Sequence, residues 1–186
     1  MGEDTTMATV AAPSYIPRED VENRASEILR RHGLFSVPVD PVVLANREGI
    51  KVHNATFSDD ALSGMIAKRG SNVTLLVNQS DPPYRKRFTI AHELGHHFLH
   101  LMGDGDFVDS KVDLFRNTEP ADTVQENVTP QRRAEIQANQ FAAALLMPAE
   151  LVRSAYRKTE DLTELAREFN VSEEAMGYRL TQLGLG

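Results

Sequence analysis

The 186-residue chain has no cysteine, so disulfide staples and thiolate chemistry are excluded and any zinc would have to be held by histidine and carboxylate. No apolar run approaches the ~20 residues that span a bilayer, and the first residues lack the charged-then-apolar pattern of a secretory leader. Positive charge is scarce: 20 Lys and Arg stand against 27 Asp and Glu, for a formal net charge of -7 and a pI near 5.4. Affinity for nucleic acid or an anionic membrane needs a basic face, so neither partner is expected. Met1-Gly2 followed by Thr6 matches the loose myristoylation pattern, yet no polybasic run or cysteine supplies the second anchor that stable attachment needs. The expectation is an acidic, non-exported, cytoplasmic protein, long enough for one domain with a real core. Nothing in the composition sets its oligomeric state.

What the chain has is histidine, unevenly placed. Four of its six histidines fall between positions 92 and 100, around His92-Glu93-Leu94-Gly95-His96. On a helix, residues four apart share a face with Cβ atoms about 5–6 Å apart, so the rings of His92 and His96 can converge on one ion. Glu93 is one step of ~100° round from His92, close enough to reach a metal-activated water without binding the metal, which makes it the candidate general base. A pattern with three fixed positions arises by accident in roughly one chain of this size in a few hundred. A solvated helix face has little reason to gather four histidines.

Around this stretch, residues 1 to 15 are small, polar and without period, and read as a flexible tail. Pro17 opens a helix to about His32, with Val21, Ala25, Ile28 and Leu29 on one face and Gly33 as its stop. A short helix follows Pro41, ended by Gly49, and then a strand over 50–55 carrying His53, which reads as structural or exposed. Ser63–Arg69 and Val73–Val77 are strand candidates joined by a turn of hairpin length, and the three strands are expected to form a small antiparallel sheet. Asp81 reads as the N-cap, with Pro82 as first residue, of the histidine-bearing helix, which runs to about Leu101. Residues 103–129 carry seven carboxylates against two bases and read as a long acidic loop, a lid or a disordered insertion; Asp104 and Asp106 lack the spaced ligands of a calcium loop. Thr129-Pro130 opens a helix over 131–147 ended by Pro148, another runs to about Arg157, and helices over 162–169 and 173–182 form a helix-turn-helix-like pair.

A catalytic zinc takes three protein ligands and one water, so the histidines need a third partner. His100 lies ~12 Å along an unbroken helix from His92, beyond an ion held between His92 and His96. No glycine intervenes to end the helix and bring it back, as happens in metzincins. A carboxylate from a second helix is expected instead. Glu135 begins an Ala-rich apolar helix and points the same way as its packing face, which suits a ligand; a glutamate near a helix N-terminus is also favoured by the macrodipole alone. Asn139, one turn on, is placed to support a ligand.

Two blocks carry a family resemblance. Arg87-Phe88-x-x-Ala91-His92-Glu93-Leu94-Gly95-His96, followed by Glu135-x-x-Ala138-Asn139-x-Phe141-Ala142-x-x-Leu145-Leu146-Met147-Pro148, resembles the ImmA/IrrE-type metallopeptidases. The likeness takes in Pro38–Pro41 and Gly49-Ile50, covers roughly residues 17 to 160 and extends more weakly over the last helix pair. It implies an α+β, zincin-like, gluzincin-like fold, mostly helical. The metal ligands would be His92, His96 and Glu135, with Glu93 as catalytic base. The implied arrangement is a zinc metallopeptidase domain over 16–157 and a helix-turn-helix-like segment over 158–186. Zinc is the implied cofactor, although manganese or another divalent ion suits the same donors. The implied function is site-specific hydrolysis of a protein substrate, a helix-turn-helix repressor, in a stress or mobile-element response. As oxyanion stabiliser beyond the metal, spacing leaves His97, Tyr84 and Tyr156 unranked.

Two competing functions come from other classes. A DNA-binding regulator would read bases with the helix over 173–182, but that helix opens with Glu173 and Glu174 and offers only Arg179 as a cation, so phosphates would repel it. A toxin-like partner held by a cognate repressor is the other, and the intact His-Glu-x-x-His counts against an inactive version of it.

Overall fold

The computed structural model describes residues 16–59, 62–100, 105–110 and 129–186. Helix α1 (Arg18–Arg31) follows Pro17 and buries Val21, Ala25, Ile28 and Leu29, a spacing of four, three and one that keeps them on one stripe. Gly33 then takes a φ of 61°, the left-handed conformation that lets the chain leave the helix without a Cβ clash. Helix α2 (Pro41–Arg47) is capped by Asp40, whose carboxylate accepts from the backbone N–H groups of Val42 and Val43. Helix α3 (Pro83–His100) carries the histidines. Helix α4 (Pro130–Leu146) opens at Thr129, whose hydroxyl accepts from the Arg132 N–H, and α5 (Ala149–Tyr156) follows Pro148. Helices α6 (Leu162–Phe169) and α7 (Glu173–Gln182) are capped by Asp161 and Ser172, with Asn170 in the left-handed region between them.

Four strands, β1 (Lys51–Ala55), β2 (Leu62–Arg69), β3 (Asn72–Asn78) and β4 (Gly105–Ser110), form one sheet in the order β1-β3-β2-β4. This corrects the expected three-stranded antiparallel sheet in two ways. The β2–β3 hairpin is antiparallel as expected, with Ile66 opposite Leu75, but β1 lies on the far side of β3 and runs parallel to it, with Val52 opposite Leu75. Strands consecutive in sequence usually neighbour one another, and β1 departs from that tendency because β3 is inserted between it and β2. The second correction is β4, which falls inside the stretch expected to be a loop. Gly, Asp and Ser disfavour strand locally, so only its antiparallel pairing with β2 makes it one. The rest of that acidic stretch up to residue 128, residues 103–104 and 111–128, and the expected tail over 1–15 lie outside the described residues. A smaller shift concerns Asp81: α3 begins at Pro83, and the Asp81 N–H bonds back to the Asn78 carbonyl in a turn instead of opening the helix.

The fold is mixed α+β. Helix α4 packs against both α3 and α1, and the sheet lies on α3 through β2 and β3. Ile66, Leu75 and Val77 of the sheet share a core with Leu94 of α3, Phe141 of α4 and Leu29 of α1. Each such side chain contributes roughly 1.5–3 kcal/mol by leaving water. Helices α3 and α4 approach tightly at Gly95, where a Cβ would lie 2.9 Å from the Ala138 Cα and 3.0 Å from its carbonyl oxygen. Gly costs ~1 kcal/mol relative to Ala inside a helix, and the cost is offset here by two backbones packed face to face. The last helix pair is tied into this core: the fully buried Arg179 of α7 donates to both carboxylate oxygens of Glu22 on α1 and to the Met147 carbonyl. No helix among the described residues is long and apolar enough to cross a membrane.

Candidate metal centre

Helix α3 is unbroken across its two histidines, so His92 and His96 lie one turn apart on the face that meets α4. Their Nε2 atoms are 3.0 Å apart. Glu135, in the second turn of α4, points its carboxylate between them, with Oε2 3.3 Å from His92 Nε2 and Oε1 3.3 Å from His96 Nε2. Gly95 is what lets α4 come close enough for this, because any side chain there would push Ala138, three residues after Glu135, away.

These separations can be compared with what a metal needs. Bonds of ~2.0–2.2 Å at tetrahedral angles place ligand atoms about 3.3–3.6 Å apart, close to all three observed values. His92, His96 and Glu135 are the one group of three or more His, Asp or Glu residues among the described residues whose ligand atoms fit a metal, all within 4.8 Å of one another. The protonation pattern suits the same purpose. His92 Nδ1–H donates to Asn139 Oδ1 at 2.8 Å, which leaves the Nε2 lone pair facing the cluster. Burial works against the ionised form of Glu135, but the two imidazoles beside it outweigh that and hold the carboxyl well below its usual range. Glu135 is therefore an anion at neutral pH, and the residues present fit a divalent cation. The imidazoles are inside the protein while the Glu135 side chain is 44% exposed, so the cluster is open to solvent on one side.

Glu93, the next residue after His92, is fully buried and lies on the sheet side of α3. Its Oε1 sits 3.3 Å from where a Cβ would be on Gly64 of β2, so the strand passes directly beside the carboxylate. His100 stays outside the cluster, as the helical geometry requires. Its ring is 5.6 Å from that of His96, and its Nε2–H donates to the Ala134 carbonyl, tying α3 to α4 one residue before Glu135. Burial, followed by the charge of His96, pushes the His100 imidazole down to about 4. Of the three side chains considered as oxyanion stabilisers, His97 packs against Phe98, and burial lowers its imidazole, opposed in part by Glu48 just after α2. Tyr84 lies about two turns before His92 in an apolar groove with Phe88, Met147 and Val171, and Tyr156 ends α5. None belongs to the cluster.

Sequence reasoning misses two residues that shape the site, Gly95 and Gly64, and the tethering role of His100. An interior helix glycine and an interior strand glycine are each a signal of close backbone approach, and that signal is present at both positions.

Comparison with known proteins agrees with this geometry. The IrrE N-terminal-like domain family matches residues 45–181, from the end of α2 to the last turn of α7. The radiation response metalloprotease IrrE of Deinococcus deserti is 34% identical over 112 residues, 58% of this chain and 36% of that protein. Its namesake in Deinococcus radiodurans is 32% identical over 112 residues, 58% of this chain and 30% of that protein. The metallopeptidase ImmA of Bacillus subtilis is 24% identical over 124 residues, 66% of this chain and 64% of that protein. This chain thus spans about a third of the length of the Deinococcus relatives it matches. A solved Mycobacterium tuberculosis transcriptional regulator shares the fold, with a TM-score of 0.63 at 23% identity over 90% of this chain and 47% of that one. Because the family match covers most of the chain, all of α3 and α4 included, the protein belongs to the IrrE N-terminal-like, ImmA/IrrE-type metallopeptidase family.

Proposed function

We propose that the chain is a zinc-dependent endopeptidase of zincin-like fold, with His92, His96 and Glu135 as metal ligands and Glu93 as general base. The observation that carries this is the convergence of the two Nε2 atoms and the Glu135 carboxylate at separations of 3.0 and 3.3 Å, one residue from a buried glutamate. A bound zinc, or manganese in its place, would polarise the scissile carbonyl and acidify the attacking water. Glu93 takes a proton from that water as its oxygen attacks the carbonyl carbon, and returns it to the amine nitrogen as the C–N bond breaks. Asn139 holds the His92 ring in the tautomer that presents Nε2.

The substrate we assign is a helix-turn-helix transcriptional repressor, cut in the cytoplasm during a stress or mobile-element response. The family resemblance supports it, as do the names of the two Deinococcus relatives, both radiation response metalloproteases. In the domain arrangement we favour, 16–157 is the peptidase and the helix-turn-helix-like pair over 158–186 is a packing or partner-docking element. A DNA-binding role has less support. Glu173 and Glu174 head α7, and Arg179, its one cation, is turned inward onto Glu22. The test is incubation of the zinc-loaded chain with the repressor encoded beside it, followed by mass spectrometry. One dominant cut is expected, absent in Glu93→Gln, while a gel shift with duplex DNA at low salt shows no specific complex. An uncut repressor with zinc bound would overturn the substrate assignment.

A further inference from the structure

Strand β2 passes the middle of α3 at Thr89 and Glu93. Gly64 packs so tightly there that a Cβ would lie 2.4 Å from Thr89 Cγ2 and 3.3 Å from Glu93 Oε1. An extended polypeptide presented to Glu93 and the metal ligands would therefore find β2 as the neighbouring strand, and pairing with a sheet edge is a general way to hold an extended peptide in register. That edge of β2 is in use. Gly64 pairs with Val77 of β3 on one side and with Asp109 of β4 on the other, and β4 continues antiparallel along β2 to Lys68 opposite Gly105.

We propose that β4 holds, within the chain itself, the place on β2 that an extended substrate segment takes during cleavage, so that β4 must leave β2 before a substrate can pair there. This rests on the peptidase reading above. Three features favour a displaceable strand over a permanent one. The segment Gly105–Ser110 is six residues long and contains Gly105, Asp106, Asp109 and Ser110, types that contribute little to a strand by themselves. The β2–β4 register shifts between Leu62 and Gly64, so the ladder is irregular next to the residue that lies against Glu93. Among the described residues it is also the outermost strand of the sheet, with β2 as its sole partner. The contrary view is that β4 permanently guards the edge of β2 against unwanted pairing.

The chain has no cysteine, so a Met65→Cys/Val108→Cys pair, opposite one another in the register, creates the only disulfide and fastens β4 to β2 reversibly. A Phe107→Pro/Val108→Pro variant does the reverse. Neighbouring strand residues point their N–H groups to opposite sides, so the double change removes the one facing β2. Both are made in the full chain loaded with zinc. Three quantities are read: hydrolysis of an equimolar pool of quenched fluorogenic decapeptides, binding of a fluorescein-labelled decapeptide pool by anisotropy in a Glu93→Gln background, and zinc per chain. Oxidation of the cysteine pair is expected to lower hydrolysis and binding about tenfold or more, reversed by reductant, and the proline variant to raise both by a similar factor, with zinc unchanged. Equal binding and hydrolysis in the oxidised and reduced forms would overturn the proposal, as would failure of the disulfide to form under oxidant. If the proline variant does not fold, the cysteine pair alone decides. If binding follows the state of β4 while no zinc-loaded form hydrolyses any peptide, the edge assignment stands and the peptidase reading falls.

Discussion

Two clusters of polar side chains among the described residues, the Arg179 clasp and the histidine cluster, differ in one respect that separates structure from chemistry. At the Arg179 clasp, donors meet acceptors: the guanidinium gives two hydrogen bonds to Glu22, at 2.5 and 2.7 Å, and one to the Met147 carbonyl at 2.9 Å. At the histidine cluster, acceptors meet acceptors. The His92 lone pair, the His96 ring and the Glu135 carboxylate all converge, and neutral imidazole beside carboxylate is satisfied only by a cation or shared protons. Buried polar groups arranged to satisfy one another hold a fold together, whereas those arranged around a common point bind something.

The contrast is broken most forcefully at the clasp. Arg179→Ala leaves Glu22 facing a cavity with only Arg18, 4.0 Å away, as a cationic partner, and a loss of up to about 3–5 kcal/mol in urea unfolding is expected, with zinc affinity per folded molecule unchanged. A loss under ~1 kcal/mol would show that the clasp is not structural. Gly95→Ala acts on both sides of the comparison at once. Its methyl meets the Ala138 backbone at 2.9 Å, so roughly 1–3 kcal/mol of stability and part of the zinc affinity should go together, measured by unfolding and by calorimetry. Stability lost with full zinc affinity would mean that the α3–α4 spacing does not set the ligand geometry. Asn139→Ala removes the acceptor for His92 Nδ1–H and should weaken zinc by about 10–100-fold, while Asn139→Asp restores it.

The smallest effect is on pH. His100 in the folded state sits at about 4 against an ordinary 6.5, chiefly through burial. Between those values the unfolded chain binds more protons than the folded one, so stability is full above 6.5 and falls as pH drops toward 4. In His100→Gln, whose amide can still donate to the Ala134 carbonyl, that part of the acid slope should flatten. An unchanged slope in urea midpoints across this window would remove His100 from the account.

Much of the fold and of the site is legible in the sequence, for physical reasons that differ from element to element. The helices announce themselves locally, through Val21-Ala25-Ile28-Leu29 on one stripe and through the caps at Asp40-Pro41 and Thr129-Pro130. His92 and His96 are equally local, since four residues of helix bring them together. Glu135 is different: 43 positions from His92, it reads equally well as a helix-dipole glutamate, and only a second helix packed at Gly95 turns it inward. Strand β4 is not legible, because Gly105, Asp106 and Asp109 argue for a loop and its pairing with β2 is non-local. The parallel placement of β1 is hidden for a related reason: a hairpin's own residues carry no sign of a third strand on the far side. Arg179 reads as a cation on a surface helix, because nothing within α7 shows that Glu22 and Met147 lie opposite it.

The central claim is that His92, His96 and Glu135 bind one metal ion while Glu93 does chemistry beside it without binding. Zinc titration by calorimetry into the wild-type chain, Glu93→Gln and Glu135→Gln tests it most directly. Wild type and Glu93→Gln are expected to bind one zinc per chain with closely similar affinity, and Glu135→Gln to lose most of that affinity while its helices persist. Wild-type affinity in Glu135→Gln, or loss of zinc in Glu93→Gln, would contradict the assignment of ligands and base.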